Sequence, residues 1–110
     1  MSTDKETIEF ILTELGHSKR FSARAMFGEY ALYADGKVVA LVCDEQLYVK
    51  VVPASEGLEK ICDKDSPYPG AKLHYVVEEE QFSKLEELPE ILLDISKSLP
   101  AKKKKRKRIQ

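Results

Sequence analysis

The 110-residue chain is poor in the side chains that bind metals or attack bonds: it has two cysteines, Cys43 and Cys62, and two histidines, His17 and His74. The cysteines form no CxxC pair, and none of the four stands at the close spacing of a zinc site, so no metal and no cofactor is expected. Cys43 lies inside an apolar run, where a reduced thiol behaves as a small hydrophobe. Nothing near either cysteine in sequence would activate its thiol, and a Cys–His nucleophile pair is not expected. Long apolar runs are missing too; none approaches the roughly 20 residues of a membrane span. The start of the chain, MSTDKETIEF, lacks the basic and then apolar regions of a secretory leader. These absences point to a membrane-free protein of a reducing compartment, the cytoplasm.

A basic patch is also missing from most of the chain. Residues 1–101 carry 11 basic against 19 acidic side chains, a body near −8, so no folded nucleic-acid-binding face is expected there. Positive charge is gathered instead in seven consecutive residues, Lys102, Lys103, Lys104, Lys105, Arg106, Lys107 and Arg108. Runs of like charge are commonly disordered. Residues 101–110 are therefore expected to form a basic disordered tail that is merely solvated, that folds back on the acidic body, or that holds DNA or RNA without reading sequence.

The length fits one domain, taken as 1–100 ahead of the tail, with a modest core. Thr3 and Glu6 match a capping box, and Ile8, Ile11, Leu12 and Leu15 follow at helical spacing, with Gly16 placed to end the helix. From Ala23 the pattern turns to short β runs, ARAMFG, EYALYA, KVVALVC and QLYVKVV, which read as an antiparallel meander. ASEGLEKIC suggests a short helix, Pro69-Gly70 a type II turn, and KLHYVV a fifth strand. Phe82, Leu85, Leu88, Ile91, Leu92, Ile95 and Leu99 then recur at steps of three and four as a C-terminal helix, with Pro89 near its first turn. The carboxylates of Glu78, Glu79 and Glu80 precede it, where they suit a helix start better than acid–base chemistry. The fold class is α+β.

Asp35-Gly36 supplies the positive φ that a two-residue hairpin turn needs. It predicts Ala34 opposite Lys37, Leu32 opposite Val39, Ala31 opposite Ala40 and Tyr30 opposite Leu41. One face would then hold Tyr30, Leu32, Val39, Leu41 and Cys43, and the other Ala31, Tyr33, Val38, Ala40 and Val42. Both are apolar, which argues for cover on both sides: helices on one face and part of the other, and a second copy of the chain on what remains. A homodimer is expected on that ground. The turn at Asp44-Glu45 lacks a glycine, so the register of the following strand is left open.

Arg24-Ala-Met26-Phe27-Gly28-Glu-Tyr30-Ala-Leu32-Tyr33-Ala-Asp35-Gly36, followed by Ala40-Leu41-Val42 and Leu47-Tyr48-Val49-Lys50, resembles the signature of the TfoX N-terminal domain family. With Tyr68-Pro69-Gly70 and the strand and helix after it, the likeness covers about residues 4–100. Departures stand at Glu29 and Ala31, where members often have glycine, and at Asp44-Glu45, where they often have Asp-Gly. The resemblance implies a fold akin to secretion-chaperone-like domains and no enzymatic activity. It implies a regulatory or adaptor role in transcription or DNA-uptake competence, exercised through protein partners, transcription machinery among them.

Met26, Phe27, Tyr30, Tyr33 and Tyr48 could line a ligand groove, but aromatics on a two-sided sheet are first of all core. Arg24 and Lys50 bracket the hairpin and could hold an anion, although strand charges more often face water or blunt an edge. Gly28 is expected at a bulge or close backbone approach. The motif residues Asp35 and Gly36 are structural.

Overall fold

Ile8, Ile11 and Leu15 are buried along one side of α1 (Lys5–Glu14) and its C-cap, as their spacing requires. The structure is a computed structural model and describes residues 4–16, 19–26 and 29–99. Thr3 of the expected capping box lies outside them, and the N-cap position belongs to Asp4, whose side chain makes no cap bond. The first turn is tied instead from afar: Glu45 accepts a hydrogen bond from the Asp4 backbone N–H at 3.2 Å and another from the Thr7 hydroxyl. Gly16, at φ +94°, terminates the helix as expected.

Four strands follow as a meander: β1 (Phe21–Met26), β2 (Glu29–Ala34), β3 (Lys37–Cys43) and β4 (Gln46–Lys50). A 3-10 helix, Pro53–Leu58, leads to β5 (Asp63–Asp65) and β6 (His74–Val77), and a second one, Glu79–Lys84, to α2 (Leu88–Ser98). The six strands form one antiparallel sheet in the order β1-β2-β3-β4-β6-β5. The expected fifth strand is β6. β5 is an addition that Asp-Lys-Asp, three exposed charged residues, does not announce.

The C-terminal helix begins later than periodicity suggested. Phe82 belongs to the second 3-10 helix and Leu85 caps it, and Glu78–Glu80 open that element rather than α2. Proline explains the break. A helix running from Phe82 would place Pro89 in its interior, without an N–H and against the carbonyl four residues back, whereas in the first turn of α2 neither matters.

The hairpin register starts as predicted, with Ala34 opposite Lys37 and Tyr33 opposite Val38, and then shifts by one: Leu32 faces Ala40, Ala31 faces Leu41 and Tyr30 faces Val42. Val39 is the extra residue of a β-bulge. Val39 and Ala40 are therefore both buried in the main core, with Val42 beyond them, while Leu41 and Cys43 turn to the opposite face. The expected facing pair Ala31–Ala40 does not exist. At the next turn Asp44 and Glu45 adopt φ +52° and +68° without glycine and set Cys43 opposite Gln46.

The main core lies on one side of the sheet. There Leu32, Val42, Leu47, Val49, Tyr75 and Val77 meet Ile8 and Ile11 of α1 and Leu88, Leu92 and Ile95 of α2. Both helices thus cover the same face, not one face and part of the other. Two buried serines join the layers. Ser96 of α2 donates to the Ala34 carbonyl at 2.8 Å, and the Ser55 hydroxyl accepts from the Val52 N–H at 3.0 Å and donates to the Lys50 carbonyl at 2.7 Å. Lys37 closes the far end of α2 by donating to the Ser96 and Leu99 carbonyls, both at 3.0 Å.

Candidate functional site

The side of the sheet away from the helices has its own small cluster, Cys43, Tyr48 and Val76, with Leu41 packed against it. Register explains the grouping: Leu41 faces Tyr48, and Tyr48 faces Val76, across β3, β4 and β6. A loop, residues 66–73, connects β5 to β6. Ala71 N–H donates to the Tyr68 carbonyl at 3.0 Å with Gly70 at φ +89°, the turn that Pro69-Gly70 predicted.

Pro67 and Tyr68 of this loop stand across from β1, β2 and β3 and close one wall of a pocket of about 570 Å³. Its sheet side is formed by Met26, Glu29, Tyr30, Leu41 and Cys43. Among the described residues that line it Glu29 is the charged one, and its Oε1 accepts the Asp44 N–H at 3.1 Å. Burial pushes the Cys43 thiol above its ordinary pKa, and the carboxylates of Glu29 and Asp44 push it further. Burial also raises Cys62, aided by Asp63 and Glu78. Neither thiol has the depressed pKa of a nucleophile. Among the described residues no three His, Cys, Asp or Glu side chains cluster to hold a metal ion, and no helix is long and apolar enough to cross a membrane.

The motif residues divide between two sides of the sheet. Met26, at 41% exposure, and half-buried Tyr30 line the pocket, and Tyr30 also packs on the main core. Tyr48 is buried in the small cluster and donates to Gln46 at 3.2 Å. Tyr33 lies at the other end of β2, where the Arg24 guanidinium sits 5.9 Å from its ring centre. Asp35 and Gly36, at φ +51° and +84°, form the turn, and Arg20 clamps Asp35 with two bonds of 2.9 and 2.6 Å. That clamp holds the Asp35 carboxyl below the usual carboxylate range. Arg24 on β1 and Lys50 on β4 lie three strand spacings apart, ~14 Å, and the structure places the Arg24 guanidinium over the Tyr33 ring. Phe27, Gly28 and the run from Lys102 to Arg108 fall outside the described residues. Sequence reasoning passed over Leu41, Pro67 and Tyr68 as pocket residues, and noted Glu29 only as a departure. Pro69-Gly70 was the available signal, since a sharp turn carries Tyr68 back toward the sheet.

One antiparallel sheet with its helices on a single face, and a loop-walled pocket on the other, define an α+β domain of a specific kind. The chain belongs to the TfoX N-terminal domain family, whose model matches residues 13–91. It is also similar to an uncharacterized 12.7 kDa protein from the trpE 5′ region of Spirochaeta aurantia, 35% identical over 106 residues that cover 94% of this chain and 89% of the relative.

Proposed function

We propose that this protein is a non-enzymatic regulatory or adaptor domain that acts through protein contacts in the control of transcription or DNA-uptake competence. Family membership supports the regulatory class. The observation that carries the contact reading is the apolar surface away from the helices: Met26 at the end of β1 and Tyr68 in the loop, which line one pocket there, are 41% and 55% exposed. Large apolar side chains gathered on one surface mark contact sites. Affinity capture on the full chain from native lysate, with and without nuclease, tests it. A protein partner retained after nuclease and lost in Met26→Lys supports the reading; a partner lost with nuclease transfers the contact to nucleic acid. Light scattering decides the expected homodimer, since a one-chain mass from micromolar to millimolar concentration removes it.

A second reading rests on the seven consecutive basic residues from Lys102 to Arg108, acting as a polycation on duplex DNA. Its affinity would fall with salt at a log–log slope of roughly −4 to −6. Deletion of residues 102–110 would abolish it. In the intramolecular form of this reading, the same run competes for the body's own acidic groove, about 260 Å³ and lined by Glu6, Glu45, Glu79, Phe10 and Phe82 among others.

A further inference from the structure

We propose that the free edge of β1 pairs with the β1 edge of a second copy of this chain, antiparallel about a two-fold axis, so that the two sheets run on as one. The sheet has two edges, and they are built differently. β5, at one end, is three residues long and presents Asp63, Lys64 and Asp65, all exposed. Short length and charge are how a sheet edge is kept from pairing. β1, at the other end, has six residues, FSARAM, with no proline, no lysine and no bulge in its register with β2. Ser22, Arg24, Ala25 and Met26 are exposed, and among the described residues no strand pairs with the outer side of β1. The direction of the backbone groups then fixes a register. One step beyond the Phe21–Ala34 pair, the Asp35 N–H donates to the Arg20 carbonyl at 2.8 Å. Hydrogen-bonded pairs alternate along an antiparallel ladder, so Ser22, Arg24 and Met26 turn their N–H and C=O toward β2, and Phe21, Ala23 and Ala25 aim theirs outward. With Ala23 opposite the partner's Ala23, Phe21 falls opposite the partner's Ala25, and every outward group of both strands meets its counterpart. The side chains agree with this register. On the helix side it sets the Phe21 ring against a methyl group and one Ala23 methyl against another. On the other side Arg24 stands opposite the partner's Ser22 and not opposite a like charge, and its guanidinium leans back over Tyr33 of its own sheet, 5.9 Å from the ring centre. The same strand serves both copies, so the contact closes at two. It does not rest on the adaptor reading, and either can fail alone.

The test uses the full chain in sedimentation equilibrium from about 1 μM to 1 mM. One pair of strands is a small interface, so the mass should rise from one chain to two with a Kd between about 10 μM and 1 mM. Hydrogen exchange on the unmodified chain locates the contact without any variant having to fold. The Ala23 and Ala25 amides should exchange about tenfold more slowly where roughly nine chains in ten are paired, while Ser22 and Arg24, already bonded to β2, change little. Ala23→Pro removes an outward donor and no β1–β2 bond, a change that an edge strand tolerates, and should hold the mass at one chain throughout. A one-chain mass for the unmodified protein at 1 mM overturns the proposal and leaves the edge to an extended segment of another protein. A dimer in which the Ala23 amide exchanges as fast as in the single chain also overturns it, because the contact then lies on a sheet face. So does a folded Ala23→Pro that pairs as tightly as the parent.

Discussion

The Ser96 hydroxyl of α2 donates to the Ala34 carbonyl at the end of β2 over 2.8 Å, and both residues are almost fully withdrawn from solvent. The bond fixes how far α2 slides along the sheet, because it joins a helix position to the last residue before the Asp35-Gly36 turn. Ser96→Ala leaves that carbonyl buried without its donor and should cost about 1–3 kcal/mol. Denaturant unfolding of the two proteins measures it; an unchanged midpoint would mean that another donor reaches Ala34.

Glu45 has two roles that substitution can separate. It occupies a positive-φ turn position, and its carboxylate ties the first turn of α1 through Asp4 and Thr7. Glu45→Ala removes the tie and keeps the strained φ, whereas Glu45→Gly removes the tie and relieves it. Both should be less stable than the parent chain, the alanine variant by about 1 kcal/mol more than the glycine variant. Equal melting temperatures for the two would show that the turn stores no strain.

Tyr75 is buried, donates to Glu59 Oε1 at 2.8 Å and lies beneath Lys64, whose Nζ is 3.0 Å from the same oxygen. Burial, then the hydrogen bond to Glu59 and the negative charge around it, pushes the Tyr75 hydroxyl up to about 12. The unfolded chain ionises this tyrosine near its ordinary value of about 10. The folded state thus holds its proton more tightly, so the contribution is complete below about pH 10 and is lost as pH rises toward 12. Melting temperature against pH should fall more steeply over that window in the parent than in Tyr75→Phe. Parallel curves would show that Tyr75 does not carry the alkaline loss.

The bulge at Val39 predicts a contrast between truncating a side chain and shortening the chain. Val39→Ala opens a cavity at a fully buried position and should cost about 1–3 kcal/mol. Deletion of Val39 removes the extra residue and lets every pair on either side of it keep its partner and its face, so β3 becomes a regular strand without the bulge. The deletion variant should still unfold cooperatively as seen by calorimetry, and loss of a cooperative transition would show that the bend of the bulge, and not only the Val39 side chain, is needed.

How far the sequence revealed this fold depended on whether the deciding force was local. Asp35-Gly36 could be read because both residues tolerate positive φ on their own. Asp44-Glu45 reaches the same region only with help from Glu29 and from α1, partners 15 and 41 residues away in the bonds they make. The bulge was invisible for a related reason: KVVALVC has apolar residues at every interior position, so a one-residue shift leaves no polar mismatch in the pattern. The charged run of β5 shows no β periodicity and is a strand only because β6 offers it an edge. In the pocket, Met26 and Tyr30 were marked by their motif. Pro67 and Tyr68 required knowing that a loop some 40 residues later returns across the sheet.

Lys37 gathers the last carbonyls of α2 at the Asp35-Gly36 end of the sheet, whereas Glu29 and Cys43 lie at the other end of the same strands. At about 3.4 Å per residue, the six residues of β2 separate those ends by ~17–20 Å. Whatever is attached after Leu99 sets out from the helical layer, while the pocket opens on the opposite layer. The pocket face and the edge of the helical layer that holds Leu99 are therefore separate surfaces, and a substitution at Met26 or Tyr68 can be made without touching the contacts that fix the end of α2.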